Sequence, residues 1–380
     1  MRFLRNRTIA AGIAERLLGP MRRLCKACGI FSRGGGANAG DRPSLWGWIF
    51  SCRWTAVVLL ALGFAASFAI PRFNLVNPYY QLILMYVCIN IILAISLNLV
   101  NGYMGEFSVG HAGFMAVGAY VSAILTVKVL PAGLGQVMFP LAVAAGGAVA
   151  ALVGLVVAIP SFKTRGDYLA IVTLAFNMIV KSLFENIDAV GGPRGLLGIS
   201  KLTTLPWVFV WTILSVWIIR NFVYSRFGRG VLSIREDEIA SDMMSVNTRH
   251  VKMLAFVVSS FFAGVAGALY AHLMQFINPR MFDILKSTDI LVMVYLGGIG
   301  SIAGSILGAS IYTVLLEALR PLGIWRMVFM PLVLVLVMIF RPRGIMGFRE
   351  FRLFMRREDY EDRPLPAPPI ASQDGGEAPT

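Results

Sequence analysis

Side chains able to do chemistry are few in this chain, and none is grouped as an active site requires. There are three histidines and four cysteines. There is no HExxH metal motif and no GxSxG nucleophile turn. No lysine follows a glycine, so the phosphate-cradling GxxxxGK[ST] loop is missing as well. Cys25-Lys-Ala-Cys28 is a lone CxxC, and a structural zinc site needs four ligands; with no second Cys or His pair nearby, metal binding is not expected. No catalytic residue, no metal and no cofactor is therefore expected. The remaining polar groups suit passage and docking better than bond-making. Glu106, Ser108 and His111 fall within Asn101–Gly113, Thr173 and Asn177 within Tyr168–Glu185, and a charged island runs from Arg226 to Lys252.

These residues must be positioned by membrane helices. Of the 380 residues, 57% are hydrophobic and only 14% are charged, which is far from a soluble domain. Solid apolar runs, rather than alternation, exclude a barrel. Roughly 20 apolar residues cross a hydrocarbon core of about 30 Å. The expected fold is an all-α integral membrane bundle of about ten crossings, near 54–71, 79–101, 110–130, 138–160, 168–186, 206–222, 253–276, 287–302, 304–320 and 324–340. The net charge of +14 is gathered in clusters flanking those runs, at Arg2–Arg53, Lys163/Arg165, Arg220–Lys252 and Arg341–Arg357. That is a positive-inside pattern, not a nucleic-acid surface, and it places both termini in the cytoplasm. Three regions are expected: a basic N-terminal extension over 1–45, a transmembrane domain over 46–347 and a polar, disordered tail over 348–380.

Two apolar regions are interrupted. The first carries Gly102, Gly105 and Gly110; the second, Tyr295–Gly308, carries Gly297, Gly298 and Gly300 and has a similar texture, which suggests an internal repeat. Irregular backbone at membrane depth survives only where protein or water satisfies its polar groups, and interrupted helices mark substrate paths in transporters. The alternative is a short turn with small residues for close packing. Gly298-Ile-Gly-Ser-Ile-Ala303 matches a dinucleotide fingerprint in form only, since no strand precedes it. Asn177, Lys181 and Glu185 recur at helical spacing, so one face of their helix is polar and must avoid lipid. Lys181 and Glu185 are expected to pair with each other, leaving Thr173 and Asn177 to line a path or to hydrogen-bond a neighbouring helix.

In the island, Gly228 and Gly230 are expected to let the chain turn. Glu236, Asp237 and Glu238 then crowd the first turn of a short helix, where acidic residues suit the positive end of the macrodipole. Ile239, Met243 and Val246, beside Ala240 and Met244, would form an apolar face with Ser241 and Asp242 outside it. Such a helix could lie on the membrane surface and insert its tip into a soluble subunit.

The run GRGVLSIREDEIASDMMSVNTRHVKMLAFVVSSFFAGVAGALYAH resembles the coupling segment and following helix of the permeases of branched-chain amino acid ABC importers. NGYMGEFSVGHAGFMAVGAY, TRGDYLAIVTLAF, GGPRGLLGI, LVMVYLGGIGSIAGSILGA and FRPRGIMG follow in that family's order, over roughly residues 79–347. The likeness is greatest to the M-type member of the paired permeases. It implies a bacterial inner-membrane permease that works beside an H-type homologue, two cytoplasmic ATPases and a periplasmic binding protein. It places Arg235, Glu236, Glu238 and Ala240 on the coupling motif, with Met243 and Met244 beside them, and puts the Gly102–Gly113 and Thr173 segments on the translocation path. Glu106 stands where the family often has Gln, and Val190 where Thr is frequent, so cargo is left open between branched-chain amino acids and urea or short amides. An ion-coupled carrier is the rival outside this architecture; it would need ionisable groups deep in the membrane, and Glu106 is the main one.

Overall fold

The computed structural model describes residues 63–65, 67–73, 76–129, 135–162, 168–325, 332, 335, 339 and 344–347. The expected N-terminal extension with Cys25 and Cys28, the tail, and most of the crossings at 54–71 and 324–340 lie outside these residues.

Among the described residues the structure is helical, with a single β-bridge between Leu196 and Ile277. The helices are α1 (Pro78–Asn98), α2 (His111–Ile124), α3 (Gly135–Ser161), α4 (Tyr168–Asn186) and α5 (Leu205–Val223). They continue as α6 (Arg226–Glu236), α7 (Glu238–Met243), α8 (Thr248–Met274), α9 (Ile284–Gly297) and α10 (Ile302–Ala318). α1 continues as a π-helical turn, Leu99–Met104. Among the described residues six spans are long and apolar enough to cross a bilayer: Pro78–Met104, His111–Lys128, Gln136–Ser161, Tyr168–Asn186, Leu205–Val223 and Thr248–Met274. At 1.5 Å per residue α9 and α10 reach only about 21 and 26 Å, short of a hydrocarbon core of about 30 Å. α9 also begins before and ends earlier than the expected 287–302 crossing, because Gly298 at φ 120° stops it.

Helix starts are set by short polar caps in otherwise apolar sequence. Asn77 accepts the Tyr79 N–H at the head of α1, with Pro78 in the first turn. Asn247, Asp283 and Ser301 accept the His250, Ile284 and Gly304 N–H groups at the heads of α8, α9 and α10.

α8 is the axis of the bundle, with its main contacts to α3, α2 and α1. Gly118 of α2 faces Gly264 of α8 so closely that a Cβ at 118 would stand 2.1 Å from the Gly264 carbonyl oxygen. In lipid, where water gives helices little reason to associate, such backbone proximity supplies the packing. Gly118→Ala is therefore expected to destabilise the bundle by about 1–3 kcal/mol, seen as a lowered melting temperature in detergent. Gly230→Ala serves as the control, since the nearest neighbour of its Cβ would be 3.5 Å away. A Gly118→Ala variant as stable as that control would refute the packing account.

Candidate functional site: two helix breaks joined to a charged junction

The first break starts where Gly105, at φ 77°, ends the π-turn of α1. Residues 105–110 are irregular, yet several backbone donors in and just after them find protein acceptors. Ser108 N–H goes to Asn101 Oδ1 at 3.2 Å, Val109 N–H to Thr173 Oγ1 at 3.2 Å, and Ala112 N–H to Ser287 Oγ at 3.1 Å. The Glu106 N–H reaches back to the Val100 carbonyl at 3.2 Å. His111 Nε2 lies 2.8 Å from Ser96 Oγ. Ser96 is about 12 Å back along α1 from Met104 at 1.5 Å per residue, so α2 starts well inside the bundle. This is irregular backbone at depth, tolerated because protein supplies its partners.

Asn98, which the sequence reading passed over, joins this break to the second. Its Oδ1 accepts the Gly300 N–H at 3.0 Å, while Nδ2 donates to Ser301 O at 2.9 Å and Ser305 Oγ at 2.8 Å. Gly102 packs into the same place: a Cβ there would lie 1.9 Å from Asn98 Oδ1 and 2.5 Å from Gly300 N. The second break is also held by a later segment, as Ile345 N–H reaches Leu296 O at 3.1 Å and Met346 N–H reaches Gly297 O at 2.9 Å. An asparagine inside an apolar run was the available signal for Asn98, because a buried amide must find partners.

The charged island meets the first break directly. Lys252, only 6% exposed, places Nζ 2.7 Å from Glu106 Oε1 and 2.9 Å from Glu238 Oε1. Arg235 lies against Gly105, where a Cβ would stand 2.7 Å from its Cγ. Its guanidinium pairs with Glu236 and donates to the Gly102 carbonyl at 3.4 Å. Beyond this junction the apolar tip points away from the bundle. Ile239, Met243 and Met244 are 70%, 82% and 80% exposed, and Ala240 is exposed beside them.

Several expectations change here. The island is two helices, with Asp237 as the joint: its Oδ1 accepts the Ile239 and Ala240 N–H groups at 2.9 and 3.0 Å, so Glu236 closes α6 and only Glu238 opens α7. Gly228 and Gly230 lie within α6 and do not turn the chain; Gly228 is needed because a Cβ would stand 2.1 Å from the Val223 carbonyl. Ser241 is buried, not outside, and donates to the Asp237 carbonyl at 2.8 Å.

Thr173 and Asn177 are both buried, as is Ser108. Gly110 sits against Thr173, with 2.2 Å between its would-be Cβ and the Thr173 carbonyl. Lys181 pairs with Asp283 at 2.9 Å rather than with Glu185. A lysine N-terminal to a glutamate is the weaker order along a helix, and the cap carboxylate of α9 is within reach. The hydrogen bond from Lys181 holds the Asp283 carboxyl below its ordinary range, so the pair's contribution is complete above that range and is lost as the pH falls from it through the lower, folded-state value.

Glu106, Glu238, Arg235 and Glu236 thus share one junction with Gly102, Gly105 and the Gly297–Gly300 turn. Ser108, His111, Thr173 and Asn177 lie along the inner side of the first break, and Ala240, Met243 and Met244 stand apart on the tip.

Interrupted membrane helices wired to an exposed, charged segment define the class: a polytopic membrane permease. Residues 79–340 match the family described as "Branched-chain amino acid transport system / permease component", and the chain belongs to that family. It is 33% identical over 326 residues to the high-affinity branched-chain amino acid transport system permease protein LivM of Escherichia coli, covering 76% of this chain and 74% of that protein. It is 26% identical over 282 residues to the LivH permease of Salmonella typhimurium, covering 67% and 90%. A probable LivM permease of Methanocaldococcus jannaschii is 24% identical over 273 residues, covering 62% and 79%. No solved structure matches.

Proposed function

We propose that this chain is the M-type permease of an ATP-binding cassette importer in a bacterial inner membrane. It forms the path for branched-chain amino acids with an H-type permease, receives cargo from a periplasmic binding protein and is driven by two cytoplasmic ATPases that seat the α7 tip. Both termini lie in the cytoplasm. The observation that carries this reading is Lys252, which ties Glu238 at the head of α7 to Glu106 in the first break. A push on the tip then moves the break, with Ser108, His111, Thr173 and Asn177 along the path that opens. The chain contributes no chemistry of its own and needs no cofactor. The same contact weighs against an ion-coupled carrier, because Glu106 is engaged by a cation of the chain and is not free to take up a coupling ion.

The test is uptake of labelled leucine and of labelled urea by the reconstituted assembly, with and without ATP inside the vesicles. ATP-dependent leucine uptake is expected. Uptake of urea alone would reassign the cargo, and uptake by this chain alone under an ion gradient would overturn the reading.

A further inference from the structure

At the end of the bundle away from the charged island, α9 and its cap carry three ionisable groups within two turns: Asp283 at the cap, and Lys286 and Asp289 in the helix. Asp283 is spent, since it caps Ile284 and pairs with Lys181. Lys286 is not. Among the described residues no carboxylate lies within 4.0 Å of its ammonium, which rests 5.9 Å from the centre of the Tyr270 ring. Half-buried over an aromatic face and with no hydrogen-bond acceptor among the described residues, the ammonium has only the nearby charge of Asp289 to offset the cost of its burial. Asp289 follows one turn along the same face, which puts the two Cβ atoms about 5–6 Å apart. It accepts a hydrogen bond from Tyr312 and, among the described residues, from no other donor. Tyr86 and Phe282 pack on Tyr270, each with ring centres 6.1 Å away.

Four buried polar side-chain atoms lack a partner among the described residues: Tyr120 Oη, Asn177 Oδ1, Asn101 Nδ2 and Trp211 Nε1. The first three follow one another from this end to the first break. Tyr120 packs edge-on to Phe282 at 6.4 Å. Asn177 lies beside Gly113, about 10 Å along α2 from Tyr120 at 1.5 Å per residue, and Asn101 holds Ser108 in the break itself. Unsatisfied buried groups are uncommon and call for a role.

We propose that Lys286 and Asp289 form an outer subsite for a zwitterionic α-amino acid. Lys286 takes the carboxylate, Asp289 takes the ammonium, the Tyr270 and Tyr86 rings take the apolar side chain, and Tyr120, Asn177 and Asn101 lead inward. The inference rests on the amino-acid reading above. A neutral amide would leave the Lys286 charge unmatched, whereas a lipid headgroup offers the same pair of charges, so the test must separate lipid from cargo.

The experiment uses the assembled transporter in proteoliposomes, with Cys25, Cys28, Cys52 and Cys88 replaced by serine. Lys286→Gln and Lys286→Cys are expected to lower leucine uptake at least tenfold at normal membrane level, and Lys286→Arg to retain most of it. Treating Lys286→Cys with an aminoethyl thiosulfonate, which restores a cation, should recover at least half of the uptake; the sulfonatoethyl reagent should not. Leucine-loaded binding protein should slow that modification, and exchanging phosphatidylethanolamine for phosphatidylcholine should not alter it. Normal uptake by Lys286→Gln would overturn the subsite, as would modification that responds to lipid composition and not to leucine. Carriage of urea but not leucine by the unmutated transporter would instead overturn the amino-acid reading and the subsite with it.

Discussion

Met243→Asp, alone or combined with Ala240→Asp, is expected to abolish ATP-driven uptake while the chain reaches the membrane in normal amount. Both side chains are exposed on the tip of α7 and make no contribution to the core, so the substitutions leave the fold intact. In the assembly the same positions would be buried in the partner's groove. Burial of an exposed methionine side chain contributes about 1.5–3 kcal/mol, and an unpaired carboxylate in its place adds a desolvation cost. A central interface residue of this kind is worth about 2 kcal/mol or more, or about a 30-fold loss of ATPase affinity at 1.4 kcal/mol per factor of ten. Co-purification of the ATPases with the permease, together with leucine-stimulated ATP hydrolysis, provides the measurement. Wild-type uptake by the double variant would remove α7 from the coupling interface.

Removal of Lys252 is expected to have the second largest effect, by a different route. Its ammonium is almost fully buried between Glu106 and Glu238, and deleting one partner of a buried ion pair costs about 3–5 kcal/mol because the other charge is left uncompensated. Glu238 is about half exposed and recovers solvent, so most of the penalty falls on Glu106 and the loop of the first break. Lys252→Met should therefore retain ATPase binding through the tip but lose stimulation of hydrolysis by substrate, with uptake down at least tenfold. Glu106→Gln in the same chain removes the stranded charge and should restore stability without restoring coupling. If Lys252→Met couples normally, the junction is structural and force reaches the break another way.

How much of this was legible in sequence depends on what kind of information each contact needs. Solid apolar runs announce membrane helices because backbone groups in lipid must be satisfied within a segment, and the glycine clusters announced the interruptions. The island was legible as a docking element, yet its internal form was not. Asp237 can cap a helix or sit within one, and its extended backbone, φ −158°, is what divides α6 from α7. Local spacing alone pairs Lys181 with Glu185 along the helix, whereas the partner it takes is Asp283, across the bundle. The role of Asn98 is hidden for the same reason: its partners are in the second break.

Membrane as solvent, the family, an all-helical fold with two glycine-rich breaks, and a charged segment with an apolar tip were thus legible without coordinates. These follow from composition and from short-range rules of backbone satisfaction. Long-range packing settles the rest: the two breaks meet through Asn98, Lys252 welds the tip to the first of them, and among the described residues no carboxylate comes within 4.0 Å of the Lys286 ammonium. Helices such as α1 and α10 are apolar on every side, so no periodic stripe tells which face turns inward. The rotation of each helix, and with it the partner of every charge, is settled by close packing of residues far apart in the chain.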